Sequence, residues 1–109
     1  MDVHLSEKVQ QFCTSKKILN LVIDLDYQEA PCTQIYTPIV RITKKSEDLE
    51  DFISIGEDNG IKFYRTSQFS EIFGDSDIFT LELKGLLKKH ITIMNIDPII
   101  KNVCKMPGM

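Results

Sequence analysis

The stretch that decides the fold is YQEAPCTQIYTPIVRI, residues 27–42. It joins two apolar runs, Ile18–Asp26 and Ile35–Thr43, in which apolar residues recur with the two-residue period of β-strands. The residues between the runs predict a loop that carries Cys32, and within the whole stretch Cys32 lies between Pro31 and Pro38. Because proline has no backbone N–H to donate, Pro38 predicts that the first half of the second strand lies at a sheet edge or a bulge.

A β-hairpin is the clearest local signal in the remainder of the chain. Apolar runs at Phe52–Gly56 and Ile61–Arg65 flank Asn59-Gly60, a pair that favours the type I′ turn. Alternation of apolar and polar residues predicts two further strands over Ile78–Lys84 and Lys89–Ile96.

Helical periodicity and capping residues predict three short helices. The first spans Leu5–Lys16 and is capped by Asp2 or Ser6. The second is the segment SQFSEIF, capped by Thr66 or Ser67 and ended by Gly74. The third is expected after Asp97-Pro98, where it would carry Ile99, Ile100 and Val103. Together the elements predict one α+β domain, with a mostly antiparallel sheet of about six strands and two or three short helices packed on it.

Length and charge limit the possible functions. The chain has 109 residues and a formal net charge of -3. An acidic chain lacks the net basic face that phosphate neutralisation requires, which disfavours general nucleic-acid binding. No segment approaches the roughly 18 apolar residues of a membrane-spanning helix, and the N-terminus has no signal pattern. We therefore expect a cytoplasmic protein with no membrane partner.

A local basic band is the one feature that could still favour nucleic acid or an acidic partner. Basic side chains beside aromatic rings are typical of surfaces that bind single strands. The residues of this band are Lys62, Phe63, Tyr64, Lys84, Lys88, Lys89 and His90. Charges and aromatic residues alternate poorly in it, and the chain has no RNA-binding signature.

The spacing of the cysteines leaves one position as the candidate for thiol chemistry. Cys13, Cys32 and Cys104 are far apart and form no C-x-x-C pair, which argues against a zinc ribbon and a thioredoxin-like motif. An odd number of cysteines is typical of reduced thiols in a cytosol. Cys13 falls on the apolar stripe of the first helix and is predicted to be buried. Cys32 is therefore the candidate for a functional thiol.

The order of motifs resembles a known family. A strand, LNLVIDLD, leads to CTQIYTPIVRI; then come NGIKFY, a short helix and FTLELKGLLKKHITIMNI. From about Leu19 to Ile96 this order is similar to the HesB-like proteins, the A-type iron–sulfur carriers and, closer in layout, the small proteins defined by a Cys-Cys or Cys-selenocysteine motif. The resemblance implies an iron–sulfur cluster or iron at Cys32. The chain has Pro31-Cys32 where the family has two adjacent cysteines, and it lacks the carriers' C-terminal Cys-Gly-Cys.

The sequence thus predicts a small intracellular binding or protein-interaction domain with no cofactor and no catalytic signature. Long apolar strands with only short helices to cover them favour a homodimer or another protein as partner. Two alternatives remain: a HesB-like metal carrier that uses Cys32, and a cysteine-dependent enzyme with His4 or His90 as the base. The candidate site residues are Cys32, as a metal ligand, with Tyr36 and His90.

Overall fold

The computed structural model describes residues 2–43, 49–74, 78–85 and 87–102, and within them it contains eight strands and two α-helices. The strands are β1 (Asp2–Leu5), β2 (Asn20–Ala30), β3 (Thr33–Ile42), β4 (Ile53–Asp58), β5 (Ile61–Arg65), β6 (Ile78–Lys84), β7 (His90–Ile93) and β8 (Ile99–Asn102). The helices are α1 (Glu7–Lys16) and α2 (Ser67–Phe73), and Leu49–Asp51 forms one 3-10 turn.

The strands form two sheets. The larger sheet has the order β4-β5-β2-β3-β8, and the smaller has the order β1-β6-β7. The pairs β1–β6 and β2–β5 are parallel, whereas the other neighbours are antiparallel. The mixed α and β class is confirmed, and among the described residues four of the six strand pairs are antiparallel, but the strands number eight and form two sheets instead of one sheet of about six. The two parallel pairs join segments that lie far apart in sequence, and local patterns carry no information about such pairs.

The capping signals at both α-helices are confirmed, but α1 begins at Glu7, and Leu5, the predicted first residue of the helix, ends β1. Ser6 caps α1, and its hydroxyl accepts a hydrogen bond from the Val9 N–H at 3.2 Å. Thr66 caps α2 in the same way, accepting from the Phe69 N–H at 3.1 Å, and Gly74 ends this helix at φ 79°. Cys13 is fully buried in the core, as its place on the apolar stripe predicts.

The predicted β4–β5 hairpin is also confirmed. Asn59 and Gly60 have φ angles of 52° and 79°, the positive values that a type I′ turn requires at both central residues. This turn depends only on the two residues themselves, which explains why a local motif identifies it.

The predicted loop around Cys32 is wrong. Strand β2 continues to Ala30 and β3 begins at Thr33, so only Pro31 and Cys32 form the turn between them. Proline followed by a residue with positive φ, here Cys32 at 66°, is the pattern of a tight type II turn. A pair of strands this long gains cross-strand side-chain contacts along its whole length, which a loop would forgo.

The C-terminal helix prediction is wrong as well. Residues Ile99–Asn102 form β8, which pairs antiparallel with Thr33–Tyr36 of β3. A single helical turn has little stability in isolation. The β-branched isoleucines Ile99 and Ile100 favour a strand, and the edge of β3 offers this strand hydrogen-bond partners. Val103, also assigned to that helix, lies outside the described residues.

Pro38 lies at a sheet edge, but not in the half of the strand that was expected. Strand β8 covers Thr33–Tyr36, so the first half of β3 is paired on both sides. Within the described ranges, no strand pairs with the outer side of Thr37–Ile42, where Pro38 lies.

The core lies between the two sheets. Side chains of β2, β5, β6, β7, α1 and α2 meet there, and their burial supplies the main stabilising free energy of the fold. The largest fully buried side chains are Phe63, Phe69, Phe79, Leu21, Ile23 and Leu81. Among the described residues, no helix is both long enough and apolar enough to span a bilayer.

Candidate functional site

The outer half of the β2–β3 hairpin and β8 together form an extension that we call the arm: Leu25–Ala30, Thr33–Pro38 and Ile99–Asn102. Along β2, the side chains of Leu21–Ile23 are completely buried, whereas those of Asp26–Ala30 are exposed. The radius of gyration is 15.8 Å, compared with about 13 Å for a compact chain of this length. The arm therefore projects from the core, and it carries both Cys32 and Tyr36.

One side of the arm continues the face that forms the core. Alternation along β2 puts Leu25 and Tyr27 on the same side as Leu21 and Ile23. We call this side the inner face of the arm. The register adds residues of β3 and β8 to it: Tyr27 lies opposite Tyr36, Tyr36 opposite Ile99, Glu29 opposite Gln34, and Gln34 opposite Lys101.

An aromatic pair dominates the inner face. The ring centres of Tyr27 and Tyr36 are 5.0 Å apart with an interplanar angle of 46°, which lies within the favourable range for aromatic pairs. The Lys101 ammonium lies 5.3 Å from the centre of the Tyr36 ring, close enough for a cation–π interaction. The Tyr27 hydroxyl donates a hydrogen bond to Glu29, which raises the pKa of Tyr27 to about 12.

Cys32 lies at the tip of the arm, and its side chain is exposed. Its sulfur takes part in a disulfide bond, whereas Cys13 is free and buried. The expectation of reduced thiols is therefore not met at Cys32. A disulfide sulfur is neither a thiolate nucleophile nor a thiolate metal ligand, so both chemistries require prior reduction of this bond.

His90 lies at the opposite end of the hairpin from Cys32. It begins β7 and lines a pocket of about 120 Å³ together with Val40 and Ile42. Strands rise about 3.3 Å per residue, so Cys32 and Ile42 are roughly 30 Å apart. The structure therefore brings Cys32 and Tyr36 together on the arm but places His90 elsewhere, too far away to serve as a base for Cys32.

Sequence reasoning missed a polar cluster at the base of the arm. The Asp24 carboxylate accepts hydrogen bonds from Arg41 Nε and from the Thr66 hydroxyl, both at 3.0 Å. Since Thr66 also caps α2, the carboxylate ties β2 and β3 to the start of that helix. Arg41 and Thr66 are distant from Asp24 along the chain, so no local sequence pattern indicates this cluster.

The metal site that the HesB-like resemblance implies stays a prediction. Within the described residues, no group of three or more His, Cys, Asp and Glu side chains could hold a metal ion. An iron–sulfur cluster requires several such ligands, usually thiolates. Cys104 lies outside the described part of the chain.

The basic band, the feature that could favour nucleic acid, has one aromatic residue fewer on the surface than the sequence suggests. Phe63 is fully buried and cannot stack on a base.

Comparison of the chain with protein-family models, with curated proteins and with solved structures finds no match. The HesB-like resemblance therefore stays a prediction from the sequence.

Proposed function

We propose that the chain is a protein-interaction domain that associates with a second copy of itself through the inner face of the arm. The observation that carries the proposal is an apolar face that extends beyond the sheet covering it. Leu21 and Ile23 are buried beneath the smaller sheet, whereas Tyr27, on the same side of the same strand, is 40% exposed. An uncovered continuation of a core face is typical of a protein-binding surface.

The smaller sheet limits how two inner faces can meet. It occupies the inner side at the base of the hairpin, so two parallel arms would clash with it. Two arms that run in opposite directions avoid the clash. They are related by a twofold axis perpendicular to the strands, and this axis places the base of one arm beyond the tip of the other. A twofold contact of this kind closes on itself and gives a dimer.

The charges at the edge of the arm suit this twofold arrangement. Ile99 lies on the edge strand β8 beside Tyr36, with Asp97 two residues before it and Lys101 two residues after it. With the axis near Ile99, Lys101 of one copy faces Asp97 of the other, and this contact occurs twice. Complementary charges around an apolar centre fix the register of an interface.

The size of the surface sets the expected strength. Three strands about 4.8 Å apart and some five residues of each cover roughly 15 by 17 Å. This is well below the ~800 Å² per partner of a standard interface, so we expect a dissociation constant in the micromolar range or weaker.

Sedimentation equilibrium over roughly 10 to 500 µM chain tests the proposal. The wild-type chain is expected to shift from monomer to dimer with concentration. Asp97→Lys and Lys101→Glu each place like charges opposite one another and should weaken the dimer about tenfold. The double variant restores opposite charges and should recover most of the affinity.

Asp58→Lys serves as the matched control, since Asp58 is exposed on the β4–β5 hairpin, away from the arm. It should leave the dimer unchanged. A wild-type monomer at every concentration would contradict the proposed function. A dimer that is insensitive to both single variants, Asp97→Lys and Lys101→Glu, would contradict the inner face as its interface.

A further inference from the structure

A groove lies between α1 and the connection from β6 to β7, on a part of the molecule separate from the arm. It has a volume of about 510 Å³, within the usual range of small-molecule sites. Phe12 and Leu83 are its apolar lining residues, and both are packed against the core. The other lining residues are Lys8, Gln11, Ser15, Gly85 and Lys89.

The polar lining of the groove is cationic. Lys8 belongs to α1 and Lys89 to the β6–β7 connection, so two ammonium groups border it from two different elements. Among the described residues, no Asp or Glu lines the groove. Two acids lie near the groove. Glu82 interacts with Lys8, and the backbone N–H of Leu83 donates a hydrogen bond to the Glu82 carboxylate. Glu7 lines an adjoining pocket that shares Gln11 and Ser15 with the groove.

Gly85 fixes the backbone that carries Lys89. Its φ of +106° is strained for any residue with a side chain, and a Cβ at this position would collide with the backbone oxygen of Lys88. Only glycine lets the connection fold this closely over itself. The position of Lys89 beside the groove is therefore built into the backbone of this turn.

A second pocket adjoins the groove and shares Phe12 and Lys89 with it. This pocket has a volume of about 120 Å³ and is mainly apolar, with Leu21, Val40, Ile42 and Ile91 in its lining. His90 borders it and adds a third nitrogen base on the same side of the molecule. An apolar ligand chain that leaves the groove past Phe12 thus finds further apolar surface.

From this lining we infer that the groove binds a small amphipathic anion, such as a medium-chain carboxylate. The anionic head group would lie between Lys8 and Lys89, where charge-assisted hydrogen bonds are available. The apolar part would cover Phe12 and Leu83 and thereby remove apolar surface from water. A neutral or cationic ligand of the same shape would bury the same apolar surface but would not form the charge-assisted hydrogen bonds.

Amide chemical-shift titration of the full chain with octanoate tests the inference. We expect saturable shifts at Phe12, Leu83 and Lys89, and at least tenfold weaker binding of octan-1-ol and of octylamine. Lys8→Met and Lys89→Met keep most of the apolar stem and remove the charge, so each should weaken octanoate binding several-fold, and the double variant should abolish it. Lys62→Met, on the exposed side of β5, is the matched control and should change nothing.

Three results would overturn the inference. They are octan-1-ol or octylamine binding as tightly as octanoate, shifts that spare the groove, and a Lys8→Met/Lys89→Met variant with a native amide spectrum that still binds octanoate. None of them bears on the arm, because no residue of the arm lines the groove.

Discussion

At the scale of single residues, Asp24 is the polar group on which local stability depends most. Its carboxylate holds Arg41 and Thr66, and its side chain is 17% exposed. Asp24→Asn removes the charge but keeps the shape, and a part-buried Arg41 then loses its ion pair. We expect the free energy of unfolding to fall by about 1–3 kcal/mol in urea denaturation. Asp26→Asn, on the exposed part of the same strand, should change it by less than about 0.5 kcal/mol.

Tyr27 gives a second residue-scale prediction, through its pKa. The hydrogen bond to Glu29 raises the pKa of Tyr27 from 10.0 to about 12. The folded chain thus favours the protonated phenol, so this hydrogen bond stabilises the fold fully below pH 10.0 and its contribution is lost as the pH rises to about 12. Glu29→Gln should lower the pKa of Tyr27 towards 10.0, as measured by ultraviolet titration. An unchanged titration in Glu29→Gln would refute the assigned cause.

Cys32 carries the metal-carrier alternative, and metal content tests it. We expect protein purified without oxygen under reducing conditions to hold no stoichiometric iron or zinc, because the described neighbours of Cys32 offer no ligand cluster. Stoichiometric metal that is lost in Cys32→Ser but kept in Cys13→Ser would contradict this expectation and favour the HesB-like carrier.

Residue-scale features were predictable where they depend on near neighbours. Ser6 and Thr66 cap helices that begin one residue later, and Cys13 lies on a local apolar stripe. The Asp24–Arg41 ion pair could not be found in this way, since it depends on the register between two strands. A disulfide at Cys32 was equally hidden, because sequence alone does not give cysteine pairing.

At the scale of elements, the β4–β5 hairpin was predictable from neighbouring residues, whereas β8 was not. The hairpin is specified by Asn59-Gly60 in its turn, whereas Asp97-Pro98 suggested a helix that the edge of β3 overrides. Local propensity is a weak prior when a neighbouring edge offers hydrogen-bond partners. The position of β8 thus follows from β3, which in turn follows from the two-residue turn at Pro31 and Cys32.

Removal of β8 should expose that edge again. In a chain that ends at Pro98, we expect the amides of Thr33–Tyr36 to exchange with solvent faster than in the full chain, because β8 no longer pairs with them. Both chains should be compared under reducing conditions, so that Cys32 is a free thiol in each. The amides of β4 and β5 are the internal control, and equal exchange at Thr33–Tyr36 in both chains would refute the pairing.

At the scale of the whole molecule, the number of sheets was beyond sequence reasoning. Strand β1 has only four residues and pairs with β6, which comes much later in the chain, so no local pattern predicts this strand or its pairing. That pairing builds the smaller sheet, and the smaller sheet decides which part of the β2–β3 hairpin is covered. Among the described residues, the exposure of Tyr27 on the inner face of the arm therefore depends on long-range topology, although Tyr27 itself is plain in the sequence.

In the proposed dimer two copies meet through their inner faces, and a mixture of two charge variants tests this contact. Asp97→Lys and Lys101→Glu should each sediment as a monomer at concentrations where the wild-type chain dimerises, since each repels its own copy. An equimolar mixture should form a heterodimer, because both charge contacts then join opposite charges. Two variants that stay monomeric when mixed, or that each dimerise as well as the wild-type chain, would contradict the account.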